Sequence, residues 1–224
     1  MRSWPSPVVG FAVIAKPAGF WSTRRLAEKA KLSDMAVVRT ARAQDSRRLG
    51  EIHVASWQRA YEGLLTPEFL AALSVESRQD WWERRLNGLE IGAAVLVVAD
   101  SDAGNAEGFA FLGPCSPTEG EVYAIYVDPA RWRGGLGATL LAAAEGTLRA
   151  AGFSEAVLWV LEGNHRGRSF YESQGWRHDG AFKIEEIGGV QVNELRYRRE
   201  LGDSKSRLRL SRSATIIGVR PRSQ

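Results

Sequence analysis

Between residues 36 and 200 the chain alternates between two hydrophobic periods. Ala36–Thr40 reads as a short strand. Behind Asp45, a residue suited to capping, Leu49, Ile52, His53, Ser56 and Ala60 recur at helical spacing, flanked by Trp57 and Tyr61. Thr66 before Pro67 marks a second helix start, and Glu76–Leu89 predicts a further helix carrying Trp81, Trp82 and Leu86. Ala93–Ala99 is a continuous apolar run; the turn residues of Asp100–Ala106 and the return at Glu107–Leu112 predict a hairpin. Glu121–Val127 is the next strand and runs into a glycine-rich turn. Leu136, Leu140, Leu141, Ala144 and Leu148 then line one face of a helix that stops at Gly152. Ala156–Leu161 is apolar throughout, as a strand inside a sheet must be. Arg166–Gln174 predicts a helix closed by Gly175, and Ala181–Ile187 and Val190–Glu200 alternate around Gly188-Gly189, a two-residue hairpin turn.

The order is strand, two or three helices, three antiparallel strands, helix, strand, helix, hairpin. It predicts an α/β (α+β mixed) domain: a mixed, mostly antiparallel sheet with helices on both faces and one parallel crossover around the helix at Leu136. The 224 residues, 44% of them hydrophobic, suffice for one core. The net charge of +4 lies unevenly. Residues 1–34 hold six Lys/Arg against two acids, and residues 202–224 hold six against one; the ends carry +4 and +5, and the middle −5. We therefore expect residues 35–201 to be the folded domain, residues 1–34 an N-terminal extension and residues 202–224 a basic tail. The single Cys115 cannot form an intrachain disulfide and suits a reducing, cytoplasmic setting. No apolar run reaches the roughly 18 residues of a membrane span. His53, His165 and His178 lack metal-ligand spacing, so no metal is expected. Nucleic-acid binding would fall to the basic tails rather than to the acidic middle.

The stretch Tyr126-Val-Asp-Pro-Ala-Arg-Trp-Arg-Gly-Gly-Leu-Gly-Ala-Thr139 carries the most chemistry. A strand, a glycine-rich turn and a helix opening near Leu136 aim unpaired N–H groups at one spot, backed by the positive end of a helix dipole. Such a spot holds phosphate, and glycines let a diphosphate approach the backbone. Ala138-Thr139 stands where a Walker loop needs Lys-Ser or Lys-Thr, and Leu140 replaces the third glycine of a dinucleotide fingerprint. The better match is Arg/Gln-x-x-Gly-x-Gly/Ala, with Gly135 and Gly137 on the fixed positions and Trp132 where Arg or Gln is usual.

That loop resembles the acetyl-CoA pyrophosphate loop of the GNAT acetyltransferases. A second segment supports the resemblance: Val157-Leu-Trp-Val-Leu-Glu-Gly-Asn164, followed by Arg168-Ser-Phe-Tyr171-Glu-Ser-Gln-Gly-Trp176. Together they cover about Met35 to Leu201 and are similar to a bacterial subgroup of mostly unassigned substrate. The resemblance implies a sheet splayed between Glu121–Val127 and Ala156–Leu161, with the pantetheine arm of acetyl-CoA lying in the gap as an extra strand would. Ile125, Tyr126 and Val127 would supply backbone partners, one N–H polarising the thioester carbonyl. Arg133, Gly134, Gly135, Gly137 and Ala138 would surround the diphosphate, and Asn164 would bond the pantetheine.

By the same resemblance Tyr171 is the acid that protonates coenzyme A sulfur, and Glu121 the base that takes a proton from the amine. The expected activity is acetyl transfer to a primary amine, a small molecule or a protein amino group, by direct attack in a ternary complex. Trp57, Tyr61, Trp81, Trp82 and the final hairpin would shape the acceptor side, and that hairpin could also pair two subunits in a homodimer. A non-catalytic acyl-CoA-binding module on the same fold is the alternative.

Overall fold

A computed structural model describes residues 36–202; the expected N-terminal extension and all of the basic tail beyond Gly202 lie outside the described residues. The elements run β1 Val37–Thr40, α1 Ser46–Ala60, α2 Pro67–Ala71, α3 Val75–Asn87, β2 Ala94–Ala99, β3 Gly108–Pro114, β4 Glu119–Val127, α4 Leu136–Ala150, β5 Glu155–Leu161, α5 His165–Ser173, β6 Arg177–Ile187 and β7 Val190–Glu200. Short 3-10 turns at Ala43–Asp45 and Pro129–Arg131 lead towards α1 and α4. The predicted order holds. The main boundary difference is β6, which starts at Arg177: four further residues extend it, across a register shift between His178 and Phe182.

The seven strands form one sheet in the order β1-β2-β3-β4-β5-β7-β6. Every pairing is antiparallel except β4 with β5. The crossover through α4 requires that exception, because it returns the chain to the same end of the sheet. The parallel ladder joins only Glu119–Glu121 to Glu155–Val157. Beyond it β4 stays on β3 and β5 stays on β7, so their inner edges separate. A bulge accompanies the parting: Phe111 faces Ala124 and Leu112 faces Val122, leaving Tyr123 as the extra residue.

Each face of the sheet is covered. On one side Leu136, Leu140, Leu141, Ala144 and Leu148 of α4 pack on Val98, Ala110, Val122 and Leu158, with Tyr171 of α5 beside them. On the other, Leu49, Ile52 and Trp57 of α1 and Trp82 of α3 pack on Val95, Val97, Phe109 and Phe111. Each fully buried aliphatic side chain contributes about 1.5–3 kcal/mol. Thr66 and Ser74 cap α2 and α3, their hydroxyls accepting from the N–H groups of Phe69 and Ser77. Asp45 departs from expectation. Its carboxylate makes no cap bond to α1; it accepts from the Arg42 N–H at 2.7 Å and holds Arg39 at 2.8 and 2.9 Å, because the 3-10 turn precedes the helix.

The β6–β7 turn reaches α2. Gly188 adopts φ 59°, and a Cβ there would lie 2.3 Å from the Phe69 ring of α2. Gly188→Ala combines left-handed strain with that overlap, and roughly 2–4 kcal/mol of stability should be lost. Urea denaturation beside the wild type measures it; an unchanged midpoint would show that α2 yields freely.

Candidate functional site

The glycine-rich turn folds as a small concave surface. Asp128 caps the 3-10 turn, accepting from the Ala130 N–H at 2.8 Å, and its carboxylate pairs with Arg48 of α1. Arg48 also bonds the Ala106 carbonyl at 3.0 Å, which fastens the end of β4 to α1 and the β2–β3 loop. Arg133 and Gly135 take left-handed φ of 67° and 88° on either side of Gly134. Only Gly135 does so without strain, and it places the first turn of α4 directly after it. The N–H groups of Leu136, Gly137 and Ala138 are first-turn donors with no partner inside the helix. The Gly134 N–H donates within the turn, to the Arg131 carbonyl at 3.3 Å.

Trp132 explains its own departure from Arg or Gln. Its indole N–H donates to the Val127 carbonyl at 2.7 Å, and its ring carries the Arg166 guanidinium 4.6 Å from the ring centroid. The cation that the loop position lacks comes from the first turn of α5. Arg166 Nη1 is buried without a hydrogen-bond partner, and burial together with Arg59 and Arg133 makes the guanidinium less basic than usual. Three arginines from α1, the loop and α5 thus crowd one place, an arrangement that an anion would relieve. Only Arg133 of the three is visible as a candidate in the sequence.

The parted edges of β4 and β5 extend from this loop. Asp128 donates to the Glu107 carbonyl of the β3 side, so by alternation Tyr126 and Ala124 also turn their backbone groups to β3. Ile125 and Val127 turn theirs to the gap. The Val127 carbonyl is already an acceptor for Ser56 Oγ at 3.1 Å and for Trp132. Of the three residues expected to pair with pantetheine, Ile125 and the Val127 N–H face the gap, whereas the Tyr126 backbone faces β3. The reason is the two-residue period of a strand.

Tyr126 instead offers its side chain. Its hydroxyl accepts from Trp57 Nε1 at 2.8 Å, and its ring stacks on His53 at 4.8 Å. Tyr61 is fully buried, and burial, then Tyr126, Glu194 and Tyr171, keep its phenol protonated. Tyr171 is 0% exposed in α5 against Trp176 and Tyr197; burial, then Tyr126, raise its pKa well above 10. Asn164 caps α5, its Oδ1 accepting from the Gly167 N–H at 3.0 Å. Trp82 belongs to the core under Phe109 and Phe111, while Trp57 and Tyr61 border the gap side.

Glu121 sits on the last paired rung between β4 and β5. Burial raises its pKa, opposed by a hydrogen bond with Cys115 and by Lys183 and Arg196. A second carboxylate, missed in the sequence, lies near it. Glu194 of β7 is 1% exposed, holds Lys183 Nζ with Oε2 at 3.0 Å, and has no partner on Oε1. The available signal was its phase: Val190, Val192 and Glu194 share one face of an alternating strand whose first two members are apolar. Among the described residues no His/Cys/Asp/Glu group could hold a metal ion, and no helix is long and apolar enough to cross a membrane.

Residues 51–176 match the model of the acetyltransferase (GNAT) family. A Bacillus subtilis (strain 168) protein named uncharacterized N-acetyltransferase YuaI is 34% identical over 166 residues, covering 72% of this chain and 91% of that protein. Two solved structures share the fold. The PaiA N-acetyltransferase of Thermoplasma acidophilum, in complex with coenzyme A, has TM-score 0.54 and 24% identity over 74% of this chain and 98% of its own. The phosphinothricin acetyltransferase of Sinorhizobium meliloti, in complex with AcCoA, has TM-score 0.56 and 20% identity over 76% and 91%. The chain belongs to the GNAT acetyltransferase family and is an acyltransferase of the N-acetyltransferase class.

His53 gives this side of the sheet a pH limit. Both ring nitrogens are buried without hydrogen-bond partners among Trp57, Trp82, Phe109 and Tyr126, and burial, then Arg78, hold its pKa well below 6.5. The unfolded chain takes up a proton below about pH 6.5 that the folded chain refuses, so stability falls as pH drops, by up to about 1.4 kcal/mol per pH unit. Urea midpoints at pH 7, 6 and 5 should decline in the wild type and decline less in His53→Phe. Parallel declines would remove His53 from the account.

Proposed function

We propose that the protein transfers the acetyl group of acetyl-CoA to a primary amine, of a small molecule or a protein, by direct attack in a ternary complex. The observation that carries this reading is the parting of β4 from β5 beyond Glu121 and Val157, with the gap leading to the Gly135 turn and the start of α4. A chain-like ligand with an anionic end fits both features.

The first-turn N–H groups of Gly137 and Ala138, with Arg133 and Arg166, hold the diphosphate, because helix dipole and guanidinium charge act on the same anion. Ile125 and the Val127 N–H pair with the pantetheine amides, and an N–H on this edge of β4 polarises the thioester carbonyl. The ligand supplies an activated acyl group with a thiolate leaving group. Tyr171 donates the proton that the departing sulfur needs; its burial keeps the phenol protonated at neutral pH. An alkylammonium, with a pKa of roughly 10, must lose a proton before it attacks, so a carboxylate at the gap accepts it directly or through water. As nitrogen bonds to the carbonyl carbon, the carbon–sulfur bond breaks.

Calorimetry with acetyl-CoA tests the anion site. Gly135→Glu puts a charged side chain on a left-handed residue at the turn, and binding should vanish while the melting transition remains. Arg166→Ala should weaken binding by about ten- to a hundredfold, for a lost charged hydrogen bond of roughly 1.5–3 kcal/mol. Thiol release with primary amines tests the transfer, and Tyr171→Phe should lower kcat by about 10²-fold with affinity for acetyl-CoA kept. Binding without thiol release would make the protein an acyl-CoA-binding module; a folded wild type that does not bind would refute both.

A further inference from the structure

Two carboxylates lie on the α1-facing side of the sheet near the gap, and position separates them. Glu121 stands on the last rung where β4 and β5 still pair, opposite Val157. Glu194 stands opposite Leu161, at the far end of β5, where no β4 rung remains. Four residues separate these levels, about 13 Å along the strands. The stretch of β4 that offers backbone groups to a ligand, Ile125 to Val127, also lies beyond the last rung. Glu194 is therefore the carboxylate of the open part of the gap.

Its bonding is incomplete. Oε2 is fixed by Lys183, whose ammonium lies 4.8 Å from the Trp159 ring centroid and 3.4 Å from Glu185. Oε1 is buried without a partner, in a residue that is 99% covered. A buried carboxylate oxygen with no donor costs about 1–3 kcal/mol or more, and a fold keeps such a cost where a ligand removes it. Strand alternation places Glu194 with Val190 and Val192, facing Tyr61 at the C-terminal cap of α1, rather than with Leu195 and Tyr197 under α4.

We propose that Glu194 Oε1 receives the primary ammonium of the acceptor and takes its proton, so that Glu194 is the catalytic base of the acetyl transfer. The inference rests on the transfer reading above. Of the ammonium's three protons, one passes to Glu194 and on to solvent. One stays in the product amide. The last leaves the nitrogen for solvent as the amide forms, while Tyr171 protonates sulfur and regains its proton from solvent. The overall reaction thus releases a single proton. The groups facing Glu194 set its readiness: Lys183 and Glu185 on β6, Glu121 on β4 and Tyr61 just after α1. Burial, Glu185 and Glu121 raise its pKa, and Lys183 restrains the rise. A carboxylate whose pKa is raised holds a proton more strongly than an ordinary one, the direction a base needs.

The test is thiol release with acetyl-CoA and three acceptors, n-butylamine, 1,4-diaminobutane and a short peptide with a free amino terminus, across pH 5–9. Acetyl-CoA affinity is measured in every protein. Glu194→Gln should keep that affinity within about twofold, lower kcat/KM by about 10²-fold or more, and abolish the acidic limb of its pH profile. Glu121→Gln should retain the limb. Glu194→Asp should recover part of the rate, which a merely structural role would not produce. Lys183→Met should move the acidic limb of an active enzyme to higher pH, and this measurement stands even where Glu194→Gln fails to fold. A limb lost in Glu121→Gln and kept in Glu194→Gln assigns the base to Glu121 and overturns the proposal, as does an unmoved limb in Lys183→Met. A wild type that binds acetyl-CoA yet acetylates none of the amines overturns the proposal and the transfer reading together.

Discussion

The separation of two neighbouring parallel strands is the constraint on which the rest of the structure depends. A sheet normally closes every inner edge, because unpaired N–H and C=O groups lose hydrogen bonds that water would have supplied. Here β4 is held by β3 to its end and β5 by β7 along its full length, so neither strand needs the other for order. The crossover through α4 binds them for three rungs at one end. The Tyr123 bulge coincides with the point where β4 leaves β5, and bulges add bend and twist. What results is an internal strand edge inside a covered sheet, open to a ligand with amide groups and shielded from pairing with another chain.

Charge is sorted along that edge. At the start of α4, burial, then Arg59 and Arg133, make the Arg166 guanidinium less basic than usual. On the α1-facing side the half-buried Glu121 and the buried Glu194 both have raised pKa values, Glu121 partly balanced by Lys183 and Arg196 and Glu194 by Lys183. Coulomb interactions inside a protein act at an effective dielectric far below that of water, so each unbalanced charge weighs more here than it would at the surface. Exposed ion pairs such as Arg59 with Glu62 add little by comparison.

How much of this was legible in the sequence depends on the range of the interaction concerned. The elements were readable because they repeat locally: α4 shows its five inward apolar residues at helical spacing, and Gly188-Gly189 announces its own turn. The glycine-rich turn was readable for the same reason, since Gly135 and the helix start are contiguous. Arg166 and Arg59 were not, because they come 31 residues after and 76 before Gly135 and meet it only in the folded chain. The Tyr126 backbone direction depended on where β3 hydrogen-bonds to β4, a register that hydrophobic pattern does not specify. Glu194 left a trace, a charge on the inward phase of β7, which becomes meaningful only once Lys183 is seen to satisfy half of it.

The aromatic packing beneath the gap shows why the site is stable despite these costs. Trp57 reaches Tyr126 by a hydrogen bond, Tyr126 stacks on His53, and His53 packs against Trp82 and Phe109. Aromatic contacts of this kind contribute about 0.5–1.5 kcal/mol each beyond burial. They also fix rotamers, since a ring held on two sides has no alternative well. The same packing that leaves His53 without polar partners therefore immobilises the Tyr126 hydroxyl and, next to it, the Tyr61 phenol that faces Glu194. Rigidity of the polar groups at the gap is supplied from the apolar side of the sheet, and the unsatisfied imidazole is the polar cost that this support carries.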